Sequence, residues 1–347
     1  MTSVLKAEFA WPGGDRPGEL AFQFEPSDLV IKAVRGALAP VFFPAAAADA
    51  RYHALQPSDG PAGRYRLSTS QGEWFVRVTA RQSRSALEKT LTDFLAERGA
   101  SVNPLVLAGR SLLWEGREYF IDVRPLIGGR HFNGSPEDLR SLAATLAACH
   151  RALGAFPKAE DIRLAAKDRA GRHEAIRMSI AEAVEGGKFD VFAELAAWAA
   201  HHRDWFAEMV ARFKPHLEEL PNAQCVHGEI HEGNVLFRNS DGAAVLVDFE
   251  ESTHLFAPPA WDLAFLVQRF CLRDQPALPE ARRRVALVAE GYGQPLPELA
   301  SMMRQAAWFT MATILDLRAR HGIVTPEDEC GKFVRLERQA LAYAEVL

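Results

Sequence analysis

The hydrophobic period of this chain changes once, near residues 123–130, and that change limits it to an α+β architecture of two lobes. From Arg51 onward, apolar and polar residues alternate in short runs at 51–56, 64–69 and 73–78, and the Gly-bearing segments 57–63 and 70–72 separate them. Leu87, Leu91, Phe94 and Leu95 then recur at helical spacing up to Gly99. Strand-like runs at 105–108, 111–114 and 119–123 lead to Pro125-Leu126-Ile127-Gly128-Gly129. Beyond that point the 3.6-residue period dominates, over 136–153, about 163–220, and 297–347. The expected division is an N-terminal extension with a short helix over 1–50, a small β-rich lobe over 51–126, and a larger, mainly helical lobe over 127–347. At 347 residues the chain exceeds what one core usually serves.

Composition narrows the function classes. Hydrophobic residues make up 48% and charged residues 24%, which is ordinary for a folded globular protein. A formal charge of −5 offers no basic footprint, so nucleic acid is not expected as a partner. With no run of about 18 apolar residues and no apolar leader, neither membrane spanning nor secretion is expected. Cys149, Cys225, Cys271 and Cys330 lie far apart, which predicts a cytoplasmic chain with reduced, buried thiols.

The richest segment is Cys225-Val226-His227-Gly228-Glu229-Ile230-His231-Glu232-Gly233-Asn234-Val235-Leu236-Phe237, followed by Val245-Leu246-Val247-Asp248-Phe249-Glu250. Carboxylate and amide oxygens of this kind suit a hard divalent cation and its phosphate ligands. His227 and His231, four apart among acids, raise zinc as an alternative. Gly228 and Gly233 argue against the helix that would aim both imidazoles at one metal.

Three ordered motifs carry a resemblance: His227-Gly228-Glu229 with Asn234, then Val247-Asp248-Phe249-Glu250, then Trp261-Asp262-Leu263-Ala264. In order and spacing they resemble the aminoglycoside phosphotransferase and choline kinase group of kinase-like enzymes, over about residues 51–320. The resemblance implies a bilobal protein-kinase-like fold. It also implies transfer of the γ-phosphoryl group of ATP, or of GTP, to a hydroxyl of a small molecule with Mg2+. Asn234 and Asp248 would hold the metal, with Glu250 assisting. His227 would brace the loop and Asp262 would anchor its backbone, unless Asp262 is simply an acid at a helix N-terminus.

Glu229 would stand where the family usually has an aspartate that orients and deprotonates the acceptor hydroxyl. Its extra methylene moves the carboxylate by roughly an ångström, a displacement that can cost about a hundredfold in rate. A deeper acceptor site, weak activity, and a catalytically silent nucleotide-binding protein of the same fold all follow from that substitution.

On the third strand Arg77 would grip the phosphates, with Glu88 as its partner. For Glu88 the alternative is a capping box over Ser85-Ala86-Leu87-Glu88. The segment 58–63, with Ser58, Gly60 and Gly63, would either cover the phosphates or serve as a plain hairpin turn. Phe120-Ile121-Asp122-Val123-Arg124-Pro125 resembles the hinge, so Asp122 and Val123 are the expected adenine contacts. The acceptor is unspecified. Trp198, Trp205, Phe206 and Phe213 are expected to fill core, Arg282-Arg283-Arg284 to form a solvated helix face, and the oligomeric state is open.

Overall fold

The computed structural model describes residues 24–38, 50–55, 60–80 and 84–347. Helix α1 (Asp28–Leu38) precedes strands β1 (Arg51–Ala54), β2 (Gly63–Thr69) and β3 (Gly72–Thr79). Helix α2 (Ser85–Glu97) links these to β4 (Leu107–Trp114) and β5 (Arg117–Pro125). The five strands form one antiparallel sheet in the order β1-β2-β3-β5-β4. Tyr65, Leu67, Val76, Val78, Ile121 and Val123 form its core with Val30, Val34 and Leu38 of α1. Because side chains alternate between sheet faces, Arg64, Arg77 and Asp122 share the opposite face. The register sets them side by side, with Arg64 opposite Arg77 and Arg77 opposite Asp122. The runs expected at 105–108 and 111–114 are joined in β4, irregular between Leu107 and Arg110, where Gly109 takes a φ of 61°.

The rest is built on helices α3 (Pro136–Leu153), α4 (Ala159–Gly186), α5 (Ala196–His201), α6 (Arg203–Arg212), α7 (Ala260–Leu266), α8 (Leu278–Tyr292), α9 (Ala300–His321) and α10 (Glu327–Ala342). Ser135 caps α3 by accepting the Asp138 N–H at 3.1 Å, with Pro136 beginning the helix. The helical stretch expected over about 163–220 is made of α4, α5 and α6; Gly187 adopts a left-handed conformation that ends α4. Gly322 ends α9 in the same way, within the helical stretch expected over 297–347.

Two small β elements sit among these helices. Strands β6 (Gly129–Arg130), β8 (Val235–Arg238) and β9 (Ala244–Leu246) form one sheet, and β7 (Gln224–Cys225) pairs with β10 (Phe256–Ala257). Trp198, Trp205, Phe206 and Phe213 are buried in one cluster, as expected of core residues. The four cysteines are buried and unbridged. Among the described residues no helix is long and apolar enough to cross a membrane.

Candidate active site

The β8–β9 hairpin brings the metal-ligand candidates together. Val235 pairs with Leu246, so Asn234 and Asp248 flank the same end of the hairpin, and the Val247 N–H donates to Asn234 O at 3.0 Å. Asn234 Nδ2 donates to Glu229 O at 3.0 Å, which leaves Oδ1 as the atom it can offer a ligand. Asp248 has a φ of 62°, a backbone conformation that concentrates at functional positions when held by a non-glycine residue. Its Oδ1 is buried without a hydrogen-bond partner, 3.8 Å from Arg77 Nη1. Burial pushes the Asp248 carboxyl up, but Arg77, Arg124 and His227 outweigh that push and hold it below the usual carboxylate range. An ionised carboxylate with an orphaned oxygen, beside an amide oxygen, fits a hard divalent cation. Glu250 is less available, since its Oε2 accepts Arg77 Nη1 at 2.7 Å.

The loop before the hairpin is held by Asp262 of α7, which is fully buried. Asp262 accepts the His227 N–H at 2.7 Å, the Gly228 N–H at 2.8 Å and His150 Nε2 at 3.0 Å. Burial alone would raise its carboxyl; the His150 hydrogen bond, together with His227 and the Gly228 N–H, holds it below the ordinary value. Asp262 is thus the backbone anchor that the resemblance implied. His150, whose other nitrogen Nδ1 accepts the Tyr292 hydroxyl at 2.8 Å, had no sequence signal.

His227 donates Nε2–H to Val247 O at 3.0 Å, accepts the Glu229 N–H at Nδ1 (3.3 Å), and lies against Phe249. His231 accepts the Gly233 N–H at Nδ1. Both nitrogens of His227 are therefore committed to the fold, and the zinc pair does not form. Gly228 has a φ of 92°, and a Cβ there would lie 3.1 Å from Glu251 Cβ. No side chain is tolerated at that turn without displacement.

With the loop so held, the Glu229 side chain is 46% exposed, with Oε1 3.7 Å from His231 Nε2. Burial, then Glu251, Asp248 and Glu250, push its carboxyl up to about 8. Water reaching the exposed part of the side chain moderates that push. Burial first, then Arg269, pulls His231 down to about 4, so the imidazole beside Glu229 is neutral at pH 7.

Arg77 of β3 joins the sheet to the segment after the β8–β9 hairpin. Nη1 meets Glu250, and Nη2 donates to Asp122 Oδ2 at 3.1 Å. Burial would lower the Arg77 guanidinium, and Asp248, Glu250, Glu88 and Asp122 more than reverse it.

Three expectations on this side are corrected. Glu88 pairs with Arg124, not Arg77: Arg124 Nη2 donates to Glu88 Oε1 at 3.2 Å. The alternative capping box is also absent, since Arg84 takes the N-cap position without a side-chain bond and Ser85 Oγ donates to Asp122 at 3.1 Å. Asp122 and Val123 lie inside β5, paired on both flanks, with Val123 O accepting the Val106 N–H and Asp122 Oδ1 accepting the Gly109 N–H at 2.8 Å. They are structural residues of the sheet, and the link from β5 to β6 starts after Pro125.

Ser58 lies outside the described residues. Gly63 begins β2 opposite Val78, which puts the β1–β2 turn at the Arg77 end of the sheet, and Gly60 has open space around its Cα. Arg64, beside Arg77 and close enough to help hold Asp248 ionised, was not singled out. Only the register reveals it.

Residues 56–298 match the phosphotransferase enzyme family, and the chain belongs to that family. Among curated proteins no sequence matches it. Its fold is similar to that of a spectinomycin phosphotransferase solved with ADP and spectinomycin, with a TM-score of 0.57 and 14% identity over 86% of this chain and 93% of that one. It is also similar to a Plasmodium vivax ethanolamine kinase, with a TM-score of 0.56 and 13% identity over 96% of each chain. An amicoumacin kinase with AMP-PNP and Ca2+ gives 0.53 and 12%, over 82% of this chain and 86% of that one. At these identities the likeness is one of fold, and that fold is the bilobal kinase-like one.

Proposed function

We propose that the protein transfers the γ-phosphoryl group of ATP to a hydroxyl of a small molecule. The observation that carries this reading is the clamped loop: Asp262 holds His227 and Gly228, which presents Glu229 to the cleft beside Asn234 and Asp248. Glu229 would orient the acceptor hydroxyl and take its proton as the new O–P bond forms and the bond to the ADP oxygen breaks. Its pKa, raised toward neutrality, suits a group that must accept a proton near pH 7. Arg77, with Arg64 beside it, would face the phosphates. Asn234 Oδ1 and Asp248 Oδ1 would hold Mg2+, which when bound screens the charge on the phosphate oxygens.

The test is ATP consumption over grouped sugars, amino alcohols, hydroxy acids and antibiotics, with Asp248→Ala as control. Acceptor-dependent turnover that disappears in Asp248→Ala is expected. Turnover that survives the substitution places the chemistry elsewhere and overturns the reading.

A further inference from the structure

Asp262 holds the loop that carries Glu229, and two side chains distant in sequence hold Asp262. His150 lies near the end of α3 and Tyr292 at the end of α8, and they are only 4% and 8% exposed. Close packing of the two helices brings them together. A Cβ on Gly291 would lie 2.5 Å from Arg140 O and 3.0 Å from Ala143 Cβ, so α8 approaches α3 this closely only because that position has no side chain. Gly293, in a left-handed conformation, ends α8 directly after Tyr292. The backbone of His150 is fixed as well. Gln224 of β7 donates Nε2–H to His150 O at 2.9 Å, and β7 leads through Val226 to His227.

The chemistry at the two ends of the His150 imidazole decides where its proton lies. Asp262, held ionised, can only accept, and its Oδ2 is 3.0 Å from Nε2. At the other end the Tyr292 hydroxyl is 2.8 Å from Nδ1. Burial raises the Tyr292 phenol above its ordinary value, so it stays protonated and supplies the proton of that bond. His150 is therefore fixed with its proton on Nε2, donating to Asp262. The same Oδ2 accepts the His227 N–H at 2.7 Å, while Oδ1 accepts the Gly228 N–H at 2.8 Å. The opposite tautomer would turn a lone pair of Nε2 on Oδ2, and their repulsion would swing the carboxylate away from those N–H groups.

On the phosphotransferase reading above, we infer that His150 and Tyr292 are positioning residues for the transfer. The Tyr292 hydroxyl selects the His150 tautomer that aims the Asp262 carboxylate at the loop, and this sets where Glu229 stands relative to Asn234 and Asp248. Both residues act through Asp262 and not on a substrate. A base displaced by roughly an ångström costs about a hundredfold in rate. Binding of ATP, which falls to Arg77 and the hairpin, is spared.

The experiment compares the full chain with its Tyr292→Phe, His150→Gln and His150→Leu variants by two readouts. The first is turnover with the acceptor that is fastest in the screen above. Tyr292→Phe, which keeps the ring and the fold, should lower kcat by about 3–10-fold, the loss of one hydrogen bond. His150→Leu should lower it by about 10–100-fold, with KM for ATP changed by less than about twofold. His150→Gln, whose amide can still donate toward Asp262, should recover part of that loss. The second readout needs no substrate. In NMR spectra of protein labelled at the histidine nitrogens, the His150 signal, assigned by its loss in His150→Gln, should show a proton on Nε2 and none on Nδ1. Tyr292→Phe should turn it into a mixture of the two tautomers. A proton on Nδ1 in the unaltered protein, or full kcat in folded Tyr292→Phe and His150→Leu proteins, overturns the positioning role and leaves the phosphotransferase reading standing. No turnover by the unaltered chain with any acceptor overturns that reading and the positioning role with it.

Discussion

The Gly228 N–H donates to Asp262 Oδ1 at 2.8 Å across 34 residues of sequence, so helix α7 sets the position of the loop that carries Glu229. Removing the Asp262 carboxylate strands two backbone donors and His150 in a fully buried place. Asp262→Ala is expected to cost about 3–5 kcal/mol, and Asp262→Asn, which keeps one acceptor oxygen, less. Urea unfolding checks this, and an unchanged midpoint for Asp262→Ala would show that the clamp carries no stability.

Gly228→Ala tests the turn itself. At a φ of 92°, with a Cβ 3.1 Å from Glu251 Cβ and 3.3 Å from Leu255 Cδ2, alanine must shift the loop. A stability loss of about 1–2 kcal/mol is expected from the conformation. A drop of about a hundredfold in kcat should accompany it if Glu229 moves by roughly an ångström. Full activity in a folded Gly228→Ala protein contradicts the geometry.

Activity should depend on pH through Glu229. A base must be ionised, so kcat should fall with decreasing pH, with a midpoint between the ordinary 4.5 and about 8, set by burial and by Glu251, Asp248 and Glu250. Glu229→Gln should lose both most of the turnover and this acid limb. A pH profile unchanged in Glu229→Gln assigns the limb to another group.

Glu88 and Arg124 form a buried pair whose Glu88 Oε2 lacks a partner. Burial, opposed by Arg124, pushes the Glu88 carboxyl from 4.5 up to about 7. The folded state therefore binds this proton more tightly than the unfolded chain does. The associated stability is fully present below pH 4.5 and is lost as pH rises through about 7. Glu88→Gln should flatten that slope, whereas Glu88→Ala leaves Arg124 without a counter-charge and should cost about 3–5 kcal/mol. Denaturation midpoints of wild type and both variants between pH 4 and pH 8 decide it, and parallel curves would remove the assignment.

Arg64 lies opposite Arg77 in the sheet, on the face proposed for the phosphates. Arg64→Gln should raise KM for ATP by about tenfold, the loss of one charge-assisted contact to phosphate. A change confined to acceptor KM would place Arg64 on the other substrate.

Much of the site was legible because its members are neighbours along the chain. Glu229, Asn234 and Asp248 belong to one loop and one hairpin, so their order and spacing nearly determine that they converge. Asp262 was legible from the tetrapeptide around it, and the β-to-helical change of period displayed the two lobes. The helix ends at Gly187 and Gly322 are not legible in the apolar pattern, because that spacing persists across a helix end whose left-handed cap is a backbone event.

By itself the sequence determined the type of architecture, a run of carboxylate and amide oxygens of the kind that suits a hard cation, and a carboxylate at the position proposed for the base. Only the tertiary structure decided partners. Arg77 finds Asp122 across 45 residues, Arg124 takes Glu88, and His150 braces Asp262 across 112 residues. Strand register and the rotation of each helix about its axis choose among charges that the sequence offers equally. Both are set by burial of the apolar faces over the whole chain, because a slip of one residue would turn Arg77 and Asp122 to the wrong side of the sheet.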